Sequence, residues 1–432
     1  MGDLSIVIED ESNMINLWDF AHNPAAFLFD EKGSVIRGDF IWDTYQMDSL
    51  PYYRAYYPLP IFKFKANGDF LDNWISLTFR KDGNFALGLG GEYFFRQTNS
   101  EWDDHELRYP DVLLVFSKSV SPQTCFGANL RYVYYDFEFS RVKHYGTVEL
   151  LQQNQETVKG FRTEVGMTRK LDDWTVLGAT LGYERLRMIW DYLEYWYHSG
   201  PPDLSYFPCG KNISHIGWLS GQAVVEIVRK IRLGMEGTFQ LSDLQRYEEK
   251  EARLCLRLRG IYDPLPQLRL GVFFSDGYSF TEYRDPIYSY FSSIRDDIFT
   301  KDLGGGFALK FSKRVLAGVE YHYRDYPQPS YQGYPWDLKT HSVNLGVEGK
   351  LSEALFLRGG YINSTFVPKS DYDQTDSWEN ILTLGLGLGP LESNLIFEFS
   401  CRYALKKYKD WYGNWDVESE TRALSFSFKK VL

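Results

Sequence analysis

Arg253, Arg257 and Arg259 lie on one stretch of chain at even spacing, and Arg269 follows a few residues after them. In extended backbone, side chains two apart point the same way, so these guanidiniums share a face. The same parity elsewhere collects Arg37, Arg80, Arg96, Arg131, Arg162, Arg232, Arg324, Arg358 and Arg402. It also collects Asp39, Asp43, Glu92, Glu164, Glu236, Glu320, His322, Glu348 and Glu398. Two chemistries suit such a face. Rows of arginine lining a passage attract anions and bind phosphate or carboxylate groups. Alternatively, arginines and carboxylates on neighbouring strands pair with each other and stiffen a wall. The whole chain carries a formal charge of −11, yet this face leans positive. Acids must therefore concentrate elsewhere, as in Glu101-Trp-Asp-Asp104, Asp296-Asp297 and Asp371 to Asp376.

Other residues that do chemistry are scattered. The seven histidines are His22, His105, His144, His198, His215, His322 and His341. His322 falls between Glu320 and Arg324 and reads as part of the same charged face. Ser214 and His215 are adjacent, but neighbours on a strand point to opposite sides, which disfavours a serine hydrolase. No HExxH, P-loop or nucleotide fingerprint is present. Cys125, Cys255 and Cys401 lie in expected strands and Cys209 in an expected loop, without the spacing of a zinc or haem site. Asp371, Asp373 and Asp376 offer oxygen ligands at spacing faintly like a calcium loop, without its sharp-turn glycine. The expectation is a protein that is not an enzyme and has no cofactor.

The elements that position these residues are short alternating segments. In Lys230 to Leu241, Ile231, Leu233, Met235, Phe239 and Leu241 fall on one side, and Arg232, Glu236, Thr238 and Gln240 on the other. One face is suited to oil and the other to water. The apolar face is equally clean at Ile75, Leu77 and Phe79, at Leu254, Leu256 and Leu258, and at Leu382, Leu384, Leu386 and Leu388. A charge there at mid-membrane would cost roughly 2–4 kcal/mol for Arg or Lys. The mean hydropathy of −0.37 does not oppose a membrane setting, because only alternate residues would face lipid. Aromatics reach 17%, with 32 Tyr, 31 Phe and 12 Trp, enough for girdles at two membrane interfaces. The competing architecture is an aromatic-rich soluble sandwich that binds sugars.

Tight turns recur at 80–84, 117–123, 169–173, 229–232, 263–267, 312–314, 349–353 and 389–393, each ending one strand and starting the next. Longer connections are expected at 47–70, 98–108, 140–156, 190–213, 246–250, 277–297, 326–338, 367–377 and 406–417. A first strand near 33–46 and a last near 418–430 bring the total to about 18, within 16–20. The predicted fold is all-β: a transmembrane antiparallel up-and-down barrel over 33–432, with short periplasmic turns and long extracellular loops. Residues 1–32 form either a lumen plug or a periplasmic segment. The 190–213 or 47–70 loop is a candidate to fold inward as a constriction. Inward glycines (Gly88, Gly90, Gly178, Gly182, Gly304 to Gly306, Gly385, Gly387) suit sheet curvature or room for a plug or large neighbours. The chain opens Met1-Gly2-Asp3 with no apolar signal segment, so the expectation is a mature, exported form with an added start residue.

The last strand, Thr421 to Leu432, places Leu424, Phe426 and Phe428 on the lipid side. It resembles the terminal strand by which bacterial outer-membrane barrels are recognised for assembly, although that pattern ends in an aromatic and this chain ends in Leu432. The whole chain resembles outer-membrane β-barrels of the porin and substrate-channel type. Asn23-Pro24-Ala25 is similar to the tripeptide near the start of FadL-like hydrocarbon channels, whose N-terminal segment plugs the barrel; the strand count here is higher than in that family. The resemblance implies an outer-membrane channel. The inward residues suggest small polar or anionic solutes, contacted by Arg131, Arg162, Arg232, Arg253, Arg257, Arg259, Arg269, Glu320, His322, Arg324, Arg358 and Arg402. Two alternatives stand beside it: a barrel subunit of a secretion, surface-attachment or electron-conduit complex, and a FadL-like transporter of hydrophobic compounds. Expected partners are membrane lipid and lipopolysaccharide, with partner proteins in the complex reading and no nucleic acid.

Overall fold

The computed structural model describes residues 24–26, 34–49, 65–81, 84–100, 103–145, 148–197, 203–228, 230–244, 249–283, 294–328, 336–369, 377–389, 395–409 and 416–431. Among the described residues, a 3-10 turn at Pro24–Ala26 is followed by strands alone. They are β1 (Val35–Ser49), β2 (Lys65–Lys81), β3 (Phe85–Ser100), β4 (Asp103–Ser121), β5 (Thr124–Tyr145), β6 (Val148–Lys170), β7 (Thr175–Tyr197), β8 (Asp203–Val228) and β9 (Ile231–Leu244). There follow β10 (Glu249–Leu265), β11 (Leu268–Tyr283), β12 (Ile294–Ser312), β13 (Val315–Gln328), β14 (Trp336–Lys350), β15 (Leu355–Lys369), β16 (Ser377–Leu388), β17 (Leu395–Lys409) and β18 (Asp416–Val431). Each pairs antiparallel with its neighbours in sequence, and β1 also pairs with β18, which closes an 18-stranded barrel. Closure satisfies the edge groups that an open sheet would expose.

All eight expected tight turns join consecutive strands at one end of the barrel, between β2 and β3, β4 and β5, and so on to β16 and β17. Register shifts accompany several of them, as between Ser119 and Ser121 and between Lys310 and Ser312. At the last turn Gly389 adopts φ 131°, a conformation L side chains rarely reach. The other end, called the loop end below, differs from expectation. Strands β5 to β8 run 22, 23, 23 and 26 residues, against 12 for β16. Most of 98–108, 140–156 and 190–213 is therefore strand, not loop, and Cys209 sits in β8. An inward-folding 190–213 constriction is excluded, because Trp190 to Trp196 pair with Gly210 to Asp203 across β7 and β8. Polar and aromatic residues break the alternation in these stretches, which is why they read as loops. The 50–64 part of the other proposed constriction lies outside the described residues.

Alternation sorts the side chains as the sequence requires. The outer face carries an exposed apolar belt that includes Ile75, Leu181, Leu219, Val272 and Leu384, each more than half exposed. A continuous surface of this kind is untenable in water and suits contact with hydrocarbon. No described helix is long and apolar enough to cross a membrane; about 9–11 tilted strand residues do so in a barrel. Phe426 on β18 stacks against Phe40 across the β1–β18 seam at 6.3 Å and against Phe397 on β17 at 5.9 Å. Inward side chains mix charged and polar groups with apolar ones; Ile362, Ile381 and Ala404 form one small buried cluster.

Candidate functional site

All twelve residues expected to line the lumen have inward parity, and the strand register gives most of them a partner. Glu236 lies directly across from Arg257, Asp302 from Arg324 and Glu348 from Arg358. Side chains at such positions are near neighbours. Arg257 Nη1 reaches Glu236 Oε2 at 3.4 Å and Arg324 Nε reaches Asp302 Oδ2 at 3.2 Å. Arg358 donates to Glu348 at 2.8 Å and to Glu398 at 2.9 Å while lying over the Phe356 ring. Arg131 and Arg162 face each other across β5 and β6. Like charges so placed repel, and each is held by its own acids. Arg131 binds Asp111, and Glu92 at 3.2 Å. Arg162 donates twice to Glu164 Oε1, at 2.6 and 3.2 Å, and its guanidinium lies 4.5 Å from the centre of the Trp218 ring. Glu164 is 1% exposed and also accepts from Asn129.

Arg232 and Arg269 share Asp263, at 3.5 and 2.8 Å. Arg253 binds Glu251 on its own strand, and Arg259 follows Arg257 on the same face. His322 Nε2 lies 3.2 Å from Glu320 Oε2, and the Glu320 side chain is wholly buried. Arg402 lines a recess of about 230 Å³ with Arg358, Glu398, Thr383 and Ser400. Asp111, Asp263 and Asp302 complete this wall, beyond the inward acids that parity alone collects. Counting from the belt residues Val112 and Leu303 gives both Asp111 and Asp302 the opposite, inward parity, once β4 and β12 are recognised as continuous. Asp263 precedes Pro264 and Pro266 and so reads as turn, although it belongs to β10. With them counted, the positive lean expected of the lumen shrinks, and most of its arginines are tied into the wall.

The second component is the segment before β1. Ala25 is fully buried, and its carbonyl accepts a hydrogen bond from Ser117 Oγ at 3.3 Å. Ser117 and Gly127 face each other on β4 and β5, and Gly166 faces Gly127 on β6. Gly127 matters here by its missing side chain: a Cβ on it would overlap the Pro24 carbonyl and the Ala25 nitrogen. Thus Pro24–Ala26 is seated on the inner wall close to the tight-turn end, in a bed of Ser and Gly. Glycine plays a similar space-giving part at Gly182, which lies under the Trp218 indole, and at Gly387, under Phe356.

Ser214 is buried inward, whereas His215 points outward and bonds Tyr183 Oη at 2.7 Å, so the two do not form a catalytic pair. Tyr321 and His341 repeat this outward arrangement at 2.7 Å. Cys125, Cys255 and Cys401 are free thiols on strands. The calcium candidates Asp371, Asp373 and Asp376 lie outside the described residues.

No protein-family model matches the chain, and no curated protein matches it. Solved structures do. The ferric preacinetobactin receptor BauA from Acinetobacter baumannii aligns with 92% of this chain and 80% of its own, at 8% identity and TM-score 0.51. The CymD monoaromatic hydrocarbon channel aligns with 100% of this chain and 96% of its own, at 12% identity and TM-score 0.44. A Pseudomonas aeruginosa FadL homologue aligns with 95% and 92%, at 12% identity and TM-score 0.42. These are likenesses of fold. The closed wall and apolar outer belt give this chain the fold of an integral outer-membrane β-barrel.

Proposed function

We propose that this chain is a gated uptake channel of the outer membrane, FadL-like in that an N-terminal segment, residues 1–32, plugs the lumen from the tight-turn end. The tight turns then face the periplasm and the long strands β5 to β8 rise on the cell surface. The observation that carries this reading is the seat of Pro24–Ala26 on Ser117 and Gly127. The cargo is small and largely apolar, like the monoaromatic hydrocarbons of the CymD channel. The wall supports this: its guanidiniums are neutralised by carboxylates and several cover aromatic rings, as Arg96 does Phe70. Inward rings and aliphatics such as Phe273, Leu316 and Ile362 add apolar contact surface.

A polar, anion-favouring lumen is the second reading. It is favoured by Arg253 and Arg324, whose side chains stay more than half exposed despite their partners. Proteoliposome uptake separates the two. The full chain is expected to admit a monoaromatic hydrocarbon with little ionic conductance, and deletion of residues 1–32 to open a large conductance. A steady, strongly anion-selective current through the full chain would favour the second reading. Neither uptake nor current from either form would reject a channel.

A further inference from the structure

On the outer wall toward the loop end, described basic side chains meet acids almost everywhere. Arg108 binds Glu106, and Lys301 lies directly across from both Asp276 and Asp325. Lys407 reaches Glu418 at 3.0 Å, Arg422 reaches Glu420 at 2.6 Å, and Lys250 lies directly across from Asp243. Strands β6 to β8 break this rule. Lys159, Arg185, Arg187 and Lys211 all point outward there, and among the described residues none has an acid partner. Arg187 lies directly across from Lys159, and Arg185 directly across from His215. Lys211 faces Ile189, one same-face step beyond Arg187. Cations placed directly opposite each other destabilise a sheet, so this patch calls for an anion from outside the chain. The flanking acids are engaged: Asp136 accepts from Thr157 at 3.0 Å, and Asp243 faces His215 and Lys250. Asp191 lies further along β7, beyond Ile189.

What lies beneath the patch identifies the anion's carrier. One step toward the turn end come Tyr183 and Phe161, with ring centroids 6.2 Å apart. Below them run Leu181, Val165, Leu219 and Leu130, all half exposed or more. Cations above an aromatic ledge above an apolar stripe match an amphiphile in order: phosphate, ring headgroup, acyl chains. We infer that this face holds a phosphorylated, acylated lipid of the outer leaflet, with its phosphate on Arg185, Arg187, Lys159 and Lys211. A free phosphate would leave the ledge and stripe unused. The inference rests on the membrane placement proposed above and not on what the lumen carries, so a failed transport assay leaves it standing and a failed lipid assay leaves the channel standing.

Native mass spectrometry of the full chain in detergent tests it, with a bisphosphorylated, multiply acylated disaccharide lipid as probe. At about fivefold per cation near a charged lipid surface, Lys159→Gln is expected to weaken retention about fivefold and the Arg185→Gln/Arg187→Gln pair about thirtyfold. Lys301→Gln, at a site directly across from two acids, is expected to change nothing. The dephosphorylated lipid should bind as poorly as the paired variant, and equimolar inorganic phosphate should not displace the probe. Equal retention by Lys159→Gln and the full chain, equal binding of the dephosphorylated lipid, or displacement by inorganic phosphate would overturn the assignment.

Discussion

Gly127→Ala is the smallest change that interrogates the seated segment. The added methyl would overlap backbone atoms of Pro24 and Ala25, which cannot yield as a flexible side chain would. The segment must lift, losing the Ser117 hydrogen bond, worth about 0.5–1.5 kcal/mol net, and the burial of the Ala25 methyl, worth about 0.8 kcal/mol. Together these come to about 2 kcal/mol, a shift of about thirtyfold in the ratio of seated to released segment. The barrel itself should not suffer, because alanine in a strand of ordinary φ stabilises by about 0.4–1 kcal/mol through the unfolded chain. Gly221→Ala is the matched control: a Cβ there meets nothing within 4 Å. The assay is twofold, the rate at which a protease clips the folded barrel near residue 25 and the open probability in a planar bilayer. Both should rise in Gly127→Ala and stay level in Gly221→Ala. If Gly127→Ala leaves both unchanged while the barrel's heat-modified gel shift shows a native fold, the segment does not sit where the geometry puts it.

Leu181→Arg places a charge on the outer belt and should cost about 2–4 kcal/mol in a lipid-refolding titration, whereas Thr238→Arg on the inner face should cost far less. The double change Glu348→Gln/Glu398→Gln strips Arg358 of its carboxylates; the reversal potential of a plug-deleted channel should move toward anions, and no movement would mean that wall pairing does not set selectivity. Glu164→Gln removes the charge that meets Arg162 inside the wall. Because Arg162 keeps some solvent contact, the loss should be about 2 kcal/mol, below the 3–5 kcal/mol of a fully buried pair, read as a lowered urea midpoint. Gly182→Ala pushes on Trp218 and should cost about 1–3 kcal/mol by overpacking, with an altered tryptophan emission.

The turns and the belt were legible in the sequence because a period of two and tight-turn residues are local signals. Lys230 to Leu241 alone defines both faces of β9, and Gly389 marks its own turn. What escaped was non-local. Trp190 to Trp196 read as loop because their alternation is aromatic on both sides, and only pairing with β8 makes them strand. The arginine row was visible, but Asp111, Asp263 and Asp302 were not counted against it, since register across strands decides which acid meets which arginine. Pro24 and Ala25 are legible as part of a tripeptide, yet their seat depends on Gly127 and Ser117, about a hundred residues away in the chain.

The seam between β1 and β18 has a consequence for how such a molecule is made. Every other pairing joins neighbours in sequence and can form as soon as both strands exist, but this one joins the first strand to the last. Until β18 arrives, the sheet has two raw edges able to template aggregation, and it needs a chaperoned, unclosed state throughout export. The rings of Phe40 and Phe426 stack only at that final step. They therefore act as a latch that reports completeness: a chain cut short within β18 would never zip shut and would be left to the proteases.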